Sequence, residues 1–428
     1  MRRTNLTIED VVESQLCTGC GACASVEPGR YKMGDTLEYC RRPFLRDNAA
    51  ATSGEAISIC PGAHLEHNFD KSDKKLIKEL LAGWGPVYEV WEGYACDEEI
   101  RLSGSSGGVA TALALFCLEK NKVDKVLHTA VKQEQPYLNK SVFSKSRGEL
   151  LAATGSRYAP SSPCDGLHQI DNEDDSCLLI GKPCDIAAVQ SVRKIRSKIN
   201  ENVKLTLAFF CAGTPSLNAT FELLKANGIE NPDQVSKLKY RGDGWPGLWT
   251  AEYKDSMGGS NTKQMTYKDS WGFLQKYRQW RCYICPDHTG EFADIAVGDP
   301  WYREIGKGDP GRSIIIVRTK TGQKYLHEAV EAGYIKLEKN DSTLLPKSQP
   351  YMLHVRGALW ARLKMLQLFG AGVPEYKGFD TFTFWLHNLT AKEKFQSFAG
   401  TIKRIFSKRL RERIVPVEWT PDTKTKSR

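Results

Sequence analysis

Long apolar runs are missing from this chain. No stretch of about 18 or more apolar residues occurs in its 428 residues, so no membrane-spanning helix is predicted. The N-terminus also lacks an apolar leader core. Glu9 and Asp10 stand where one would lie, so export is not expected and a cytoplasmic location is read. Internal repeats and low-complexity tracts are absent, which argues against a solenoid or a fibrous array. The thirteen cysteines do not form the close, paired set of a small secreted scaffold. They are odd in number and spread over a long chain, as thiols kept reduced for metal would be. An acidic excess is lacking too, since 51 Asp and Glu against 60 Lys and Arg leave a net charge of +9. What remains is the composition of an ordinary soluble globular protein, long enough for two or three domains.

Three of the cysteines sit in one short loop, Cys17-Thr18-Gly19-Cys20-Gly21-Ala22-Cys23. Cys-x2-Cys-x2-Cys can place three thiolates on three corners of an iron–sulfur cube, and the two glycines let the loop turn sharply. A zinc site is the rival, but structural zinc usually pairs two knuckles across a longer gap. In a two-cluster ferredoxin the run continues to a Cys-Pro whose cysteine serves the other cluster. Here that pair is Glu27-Pro28, so the second ferredoxin-type cluster should be lost and the first kept. Its fourth ligand is expected to be Cys60, which precedes Pro61, with Cys40 as the alternative.

The rest of the chain divides by pattern. Residues 1–66 form the cysteine-bearing, ferredoxin-like 4Fe–4S module, and residues 67–86 a linker with a helix over 71–81. Residues 87–340 alternate strand and helix, which predicts an α/β domain with a mixed α+β sheet and a small antiparallel insertion between Val235 and Tyr267. Residues 341–428 read as a helical, basic C-terminal appendage.

Two further sets of residues carry chemistry. Arg101-Leu-Ser-Gly-Ser-Ser-Gly-Gly precedes a helix and could cradle an anion or cofactor, or merely cap the helix. Cys184 and Cys211 follow successive predicted strands, and Cys282 and Cys285 supply a knuckle that would complete four thiolates, unless the four are unrelated. Cys117 and Cys177 look like core residues, whereas Cys96 and Cys164 have no evident place.

Taken together, the motifs Cys-Thr-Gly-Cys-Gly-Ala-Cys, Ser-Gly-Ser-Ser-Gly-Gly, Thr-Gly-Ser-Arg-Tyr-Ala-Pro-Ser, Gly-Lys-Pro-Cys, Phe-Cys-Ala-Gly-Thr, Tyr-Arg-Gly-Asp-Gly-Trp-Pro-Gly, Cys-Tyr-Ile-Cys-Pro-Asp and Ala-Asp-Ile-Ala-Val-Gly-Asp resemble the beta-subunit family of the deazaflavin-coenzyme (F-420) hydrogenases and dehydrogenases. That family includes the plant 7-hydroxymethyl chlorophyll a reductase. The resemblance implies an FAD-containing iron–sulfur oxidoreductase that relays electrons from 4Fe–4S clusters to a reducible organic substrate or deazaflavin coenzyme. It implies that Ser105, Ser106, Gly107 and Gly108 lie against the flavin, and that Gly155, Ser156, Arg157 and Tyr158 line the same site. It assigns Cys184, Cys211, Cys282 and Cys285 to a second 4Fe–4S cluster. The catalytic acid is not identified, with Tyr158, Lys182, Asp287 and His288 as candidates near the motifs.

From Ala391 to Val415 eight Lys and Arg face two Glu, among apolar residues at helical spacing. This basic amphipathic helix could lie on an anionic membrane at its inner face, dock on an acidic partner such as a ferredoxin, or pack on its own domain. The expected partners are a ferredoxin or other electron donor and a small-molecule or lipid-linked substrate. A homo-oligomer is compatible with the pattern, and nucleic acid is not. The alternatives are a non-catalytic electron-transfer subunit of a larger complex and a zinc-stabilised scaffold.

Overall fold

Eight strands form the central sheet: β1 (Glu89–Ala95), β2 (Lys125–Lys132), β3 (Gln135–Ser144), β4 (Cys177–Gly181), β5 (Val203–Phe209), β6 (Ile295–Gly298), β7 (Ser313–Val317) and β8 (Ile335–Asn340). The computed structural model describes residues 6–306 and 308–421. The strands lie in the order β8-β1-β7-β6-β5-β4-β2-β3. The inner four, β6, β5, β4 and β2, are mutually parallel, and antiparallel strands close both sides. Parallel strands are covered on both faces and so read as unbroken apolar runs. All five residues of β4 are buried accordingly.

Helix α1 (Val109–Glu119) covers one face, where Leu113 and Phe116 meet Leu178, Leu205, Leu207 and Ile315. Helix α2 (Pro183–Arg193) begins the crossover from β4 to its parallel neighbour β5, and packs Ile186 and Val189 on the other face with Leu127, Leu179 and Ile314. The same cluster holds Cys20, Ala22, Cys23 and Val26, so the cysteine loop rests directly on this face of the sheet. The insertion between Val235 and Tyr267 is a three-stranded antiparallel sheet.

The linker differs from its expected helix. Only a 3-10 turn at Lys78–Leu80 and a short helix at Leu81–Trp84 form. Upstream, Asp70 accepts from the Ser72 N–H and Asp73 from the Lys75 N–H. Such local side-chain bonds compete with the helix ladder.

Residues 341–421 are also more than an appendage. Of their helices α3 (Leu359–Leu368), α4 (Thr381–Asn388) and α5 (Ala391–Ser407), α3 and α5 are laid over the cysteine loop. Leu359, Leu366, Ile405 and Leu410 share a buried cluster with Val11, Val12, Leu16 and Cys17. The strand Glu375–Lys377 pairs with His64–Glu66, and Arg413 binds Asp10 at 2.6 Å. Among the described residues no helix is long and apolar enough to cross a membrane.

The sheet contains one clear acid-sensitive point. His128 on β2 is buried beside Ser144, 2.7 Å from its hydroxyl, and desolvation pulls its pKa down to about 4. Between about pH 6.5 and 4 the unfolded chain binds a proton that the native chain refuses, so stability rises with pH across that window. Acidification should therefore remove about 3 kcal/mol, and His128→Gln should flatten that part of the profile in denaturant titrations. An unchanged pH slope in the variant would refute the assignment.

Candidate functional site

Two thiol-lined cavities and an aromatic cleft surround the carboxyl edge of the parallel strands. Lys182 and Cys184 follow β4, Cys211 follows β5 and Asp299 follows β6. In α/β sheets this edge is where loops are free to build a site.

The first cavity is lined by Cys17, Cys20, Cys23 and Cys60 among Ile8, Val11, Val12, Met33 and Ile59. Gly19 and Gly21 both have positive φ, +76° and +95°. The loop is pinned to the sheet domain, because Cys164 N–H donates to Cys20 O at 3.0 Å and Ser162 Oγ to Gly19 O at 2.7 Å. A Cβ on Gly21 would lie 2.8 Å from the Asp165 nitrogen. Gly21→Ala should thus cost about 1–2 kcal/mol from the left-handed backbone alone, more from the clash. Denaturation of the apoprotein measures it, and a neutral result would mean that the loop takes another path.

Burial pushes the Cys23 and Cys17 thiols up, and Cys60 to about 12. Cys20 is the exception, held below the ordinary thiol range by the Cys164 thiol beside it, against its own burial. Thiolates in such an apolar cavity need a cationic group among them. Glu27, at the position of the missing cysteine, has another task. Its Oε1 accepts from the Ala56 N–H at 3.0 Å and from Thr52 and Ser53.

The second cavity is lined by Cys184, Cys211, Cys282 and Cys285, with Cys40, Arg281, Asp287 and His288. Sequence spacing of up to about a hundred residues is here closed by the fold. Cys40 borders this cavity and not the first, whereas Cys60 joins the first triplet. Burial raises Cys40, Cys211 and Cys285 to about 12. Cys17 and Thr18 border both cavities, which therefore share a wall. Among the described residues no three or more His, Cys, Asp or Glu side chains group to hold a single metal ion. The thiols of each set stand around a space.

The named acid candidates are mostly engaged. Lys182 Nζ lies 2.7 Å from Asp185. Although burial disfavours its charge, Asp185 keeps it protonated. Asp287 spends both carboxylate oxygens on the N–H groups of Thr289, Gly290 and Glu291. His288 Nδ1 donates to Cys211 O at 2.8 Å.

The cleft, about 720 Å³, is walled by Trp245, Tyr267, Trp271 and Trp301, with Asp243, Lys268 and Asp309 at its polar positions. Tyr267 and Trp301 are stacked at 5.1 Å. Behind them the Arg241 guanidinium is held by Asp299 at 2.7 and 2.9 Å and stands over the Tyr267 ring. Trp245 Nε1 donates to the same carboxylate at 2.9 Å.

The predicted loops meet this Arg241–Asp299 pair rather than line the cleft. Arg241 donates to Ser105 O and to the Tyr158 hydroxyl. Ser105 Oγ accepts from the Ser156 N–H at 2.6 Å, and Gly155 approaches the Arg241 carbonyl. Ser106 Oγ donates to Arg312 O at 2.6 Å, and a Cβ on Gly107 would meet Arg312 at 2.7 Å. Gly108 opens α1 at φ +71°. Arg157 points elsewhere, its guanidinium donating to the carbonyls of Pro136 and Leu238 and to Asn139. The aromatic wall escapes residue-by-residue reading, although Trp245 lies in the Tyr-Arg-Gly-Asp-Gly-Trp-Pro-Gly motif.

Fold and site together define a cysteine-rich α/β protein with two thiol-lined cavities beside a mixed eight-stranded sheet. The models of the coenzyme F420 hydrogenase/dehydrogenase beta subunit match the chain in both halves, the N-terminal one at residues 90–167 and the C-terminal one at 174–343. The chain belongs to the coenzyme F420 hydrogenase/dehydrogenase beta subunit family. The coenzyme F420 hydrogenase subunit beta of Methanococcus voltae is 27% identical over 255 residues, covering 58% of this chain and 82% of that protein. A subunit beta of the F420-dependent formate dehydrogenase 1 of Methanococcus maripaludis is 27% identical over 58% of this chain and 61% of its own length. A chain of the F420-reducing NiFe hydrogenase complex from Methanosarcina barkeri shares the fold at a TM-score of 0.52 and 22% identity, over 68% of this chain and 97% of that one.

Proposed function

We propose that this chain is an iron–sulfur flavoprotein that passes electrons between two clusters and a redox partner held in the aromatic cleft. Cys17, Cys20, Cys23 and Cys60 would hold one 4Fe–4S cluster, in the ferredoxin-like module of residues 1–66. Cys184, Cys211, Cys282 and Cys285 would hold the second. The observation that carries the reading is the wall of Cys17 and Thr18 shared by two cavities, one lined by Cys17, Cys20, Cys23 and Cys60 and the other by Cys184, Cys211, Cys282 and Cys285 with Cys40 at its border. When bound, the clusters would supply one-electron transfer and FAD its pairing into a hydride equivalent.

The chain's own residues shape the rest. Stacked Tyr267 and Trp301 offer flat faces to a planar ring system of the size of a flavin or deazaflavin. Arg241 and Asp299 hold the Ser105 and Ser156 loops against that wall, and the apolar lining of the first cavity excludes water from its thiolates. A ferredoxin or another electron donor would deliver electrons on the side of Cys17. The relatives named as hydrogenase and formate dehydrogenase subunits favour a second form of the same reading, in which the donor is a partner subunit.

Anaerobic purification followed by visible spectroscopy and analysis for iron, sulfide, zinc and flavin tests it. About eight irons and one FAD per chain are expected. Zinc without flavin would overturn the reading.

A further inference from the structure

The C-terminal helix α5 is packed the wrong way round for a purely internal element. Its buried face consists of Ser397, Thr401 and Ile405, while Phe395 and Phe406 are 71% and 55% exposed. Side chains three and four apart share a helix face, so Phe395, Ala399, Ile402 and Phe406 form one outward stripe. Lys392 and Lys403 stand three residues before the two phenylalanines, on the same side. Neighbouring helices extend the apolar surface. Leu368 at the end of α3 is 72% exposed, and Phe369 beside it touches Phe406 at 5.8 Å. On α4, Phe382 and Leu386 are exposed, and Trp360, Trp385 and Phe398 join them in a half-buried aromatic group that links all three helices.

Charge along α5 and the turn after it is predominantly positive, with eight Lys and Arg against two Glu over residues 391–415. The two carboxylates of residues 391–415 are taken up elsewhere, Glu393 by Thr390 and His354 and Glu412 by Arg409. Among the described residues no carboxylate pairs with Lys392, Lys403, Lys408 or Arg411. Lys394 and Lys408 lie over the Trp385 and Tyr283 rings.

We propose that the exposed face of α4 and α5 docks on an anionic lipid surface, with Phe382, Phe395 and Phe406 entering the headgroup boundary and Lys392, Lys403 and Arg411 meeting phosphates. Outward phenylalanines flanked by lysines match an interfacial helix, in which apolar burial and charge act together. The inference goes beyond the redox reading and stands without it, since the surface lies on helices outside the residues that the family models match.

Sedimentation of the full chain with phosphatidylglycerol-rich and with pure phosphatidylcholine vesicles tests it. The wild-type protein is expected to bind the anionic vesicles, less as salt rises, and not the neutral ones. Phe395→Ser/Phe406→Ser and Lys392→Glu/Lys403→Glu should each lower partitioning by about tenfold or more. All four positions are exposed, so an unchanged denaturation midpoint in each variant confirms that the loss is not unfolding. A wild-type protein left in the supernatant overturns the proposal. So does a loss confined to the lysine variant, which would show charge adsorption without entry of the phenylalanines into the headgroup boundary.

Discussion

Cys60→Ser is expected to purify with about four irons per chain where about eight are expected of the wild-type protein, and Cys40→Ser with all eight. The asymmetry follows from placement. Cys60 completes the cavity of Cys17, Cys20 and Cys23, while Cys40 borders a second cavity already furnished with four thiols. Anaerobic iron and sulfide analysis reads the result directly. Full iron in Cys60→Ser together with loss in Cys40→Ser would reverse the assignment. Cys184→Ser supplies the complement, since it should remove the other half of the iron and leave the cluster of the N-terminal loop.

Arg241→Ala should be strongly destabilising. Arg241 and Asp299 have side-chain exposures of only 2% and 17% and bond at 2.7 Å. Removing one partner leaves an uncompensated buried charge, which costs about 3–5 kcal/mol. The loss should also release the Ser105 and Ser156 loops and, on the flavoprotein reading proposed above, lower the flavin content. Arg241→Lys should not restore it, because an ammonium cannot span both Asp299 oxygens, the Tyr158 hydroxyl and the Ser105 carbonyl together. Denaturant titration gives the stability and the flavin absorbance per chain gives the occupancy. Wild-type stability in Arg241→Ala would show that the pair is not buried as described.

Much of this arrangement is legible in the order of residues. The strands Cys177–Gly181, Val203–Phe209 and Ser313–Val317 announce themselves as short apolar runs, because strands covered on both faces carry few polar residues. The three-cysteine loop is equally plain, since its spacing places three thiolates within one turn. The linker misleads because its apolar positions keep helical spacing, while Asp70 and Asp73 bond their own backbone. The 135–144 strand gives no clear signal because its residues are neither uniformly apolar nor strictly alternating.

Residue types and short spacings are enough to mark the candidate residues, because a cysteine triplet or a small-residue turn acts within a few residues. Which of Cys40 and Cys60 meets that triplet, and which way Arg157 points, depends on pairing between distant segments. So does the aromatic wall, assembled from Trp245, Tyr267, Trp271 and Trp301, and the folding of the C-terminal helices over Cys17. Burial makes these contacts favourable, and burial is a property of the whole packed chain that no local pattern carries.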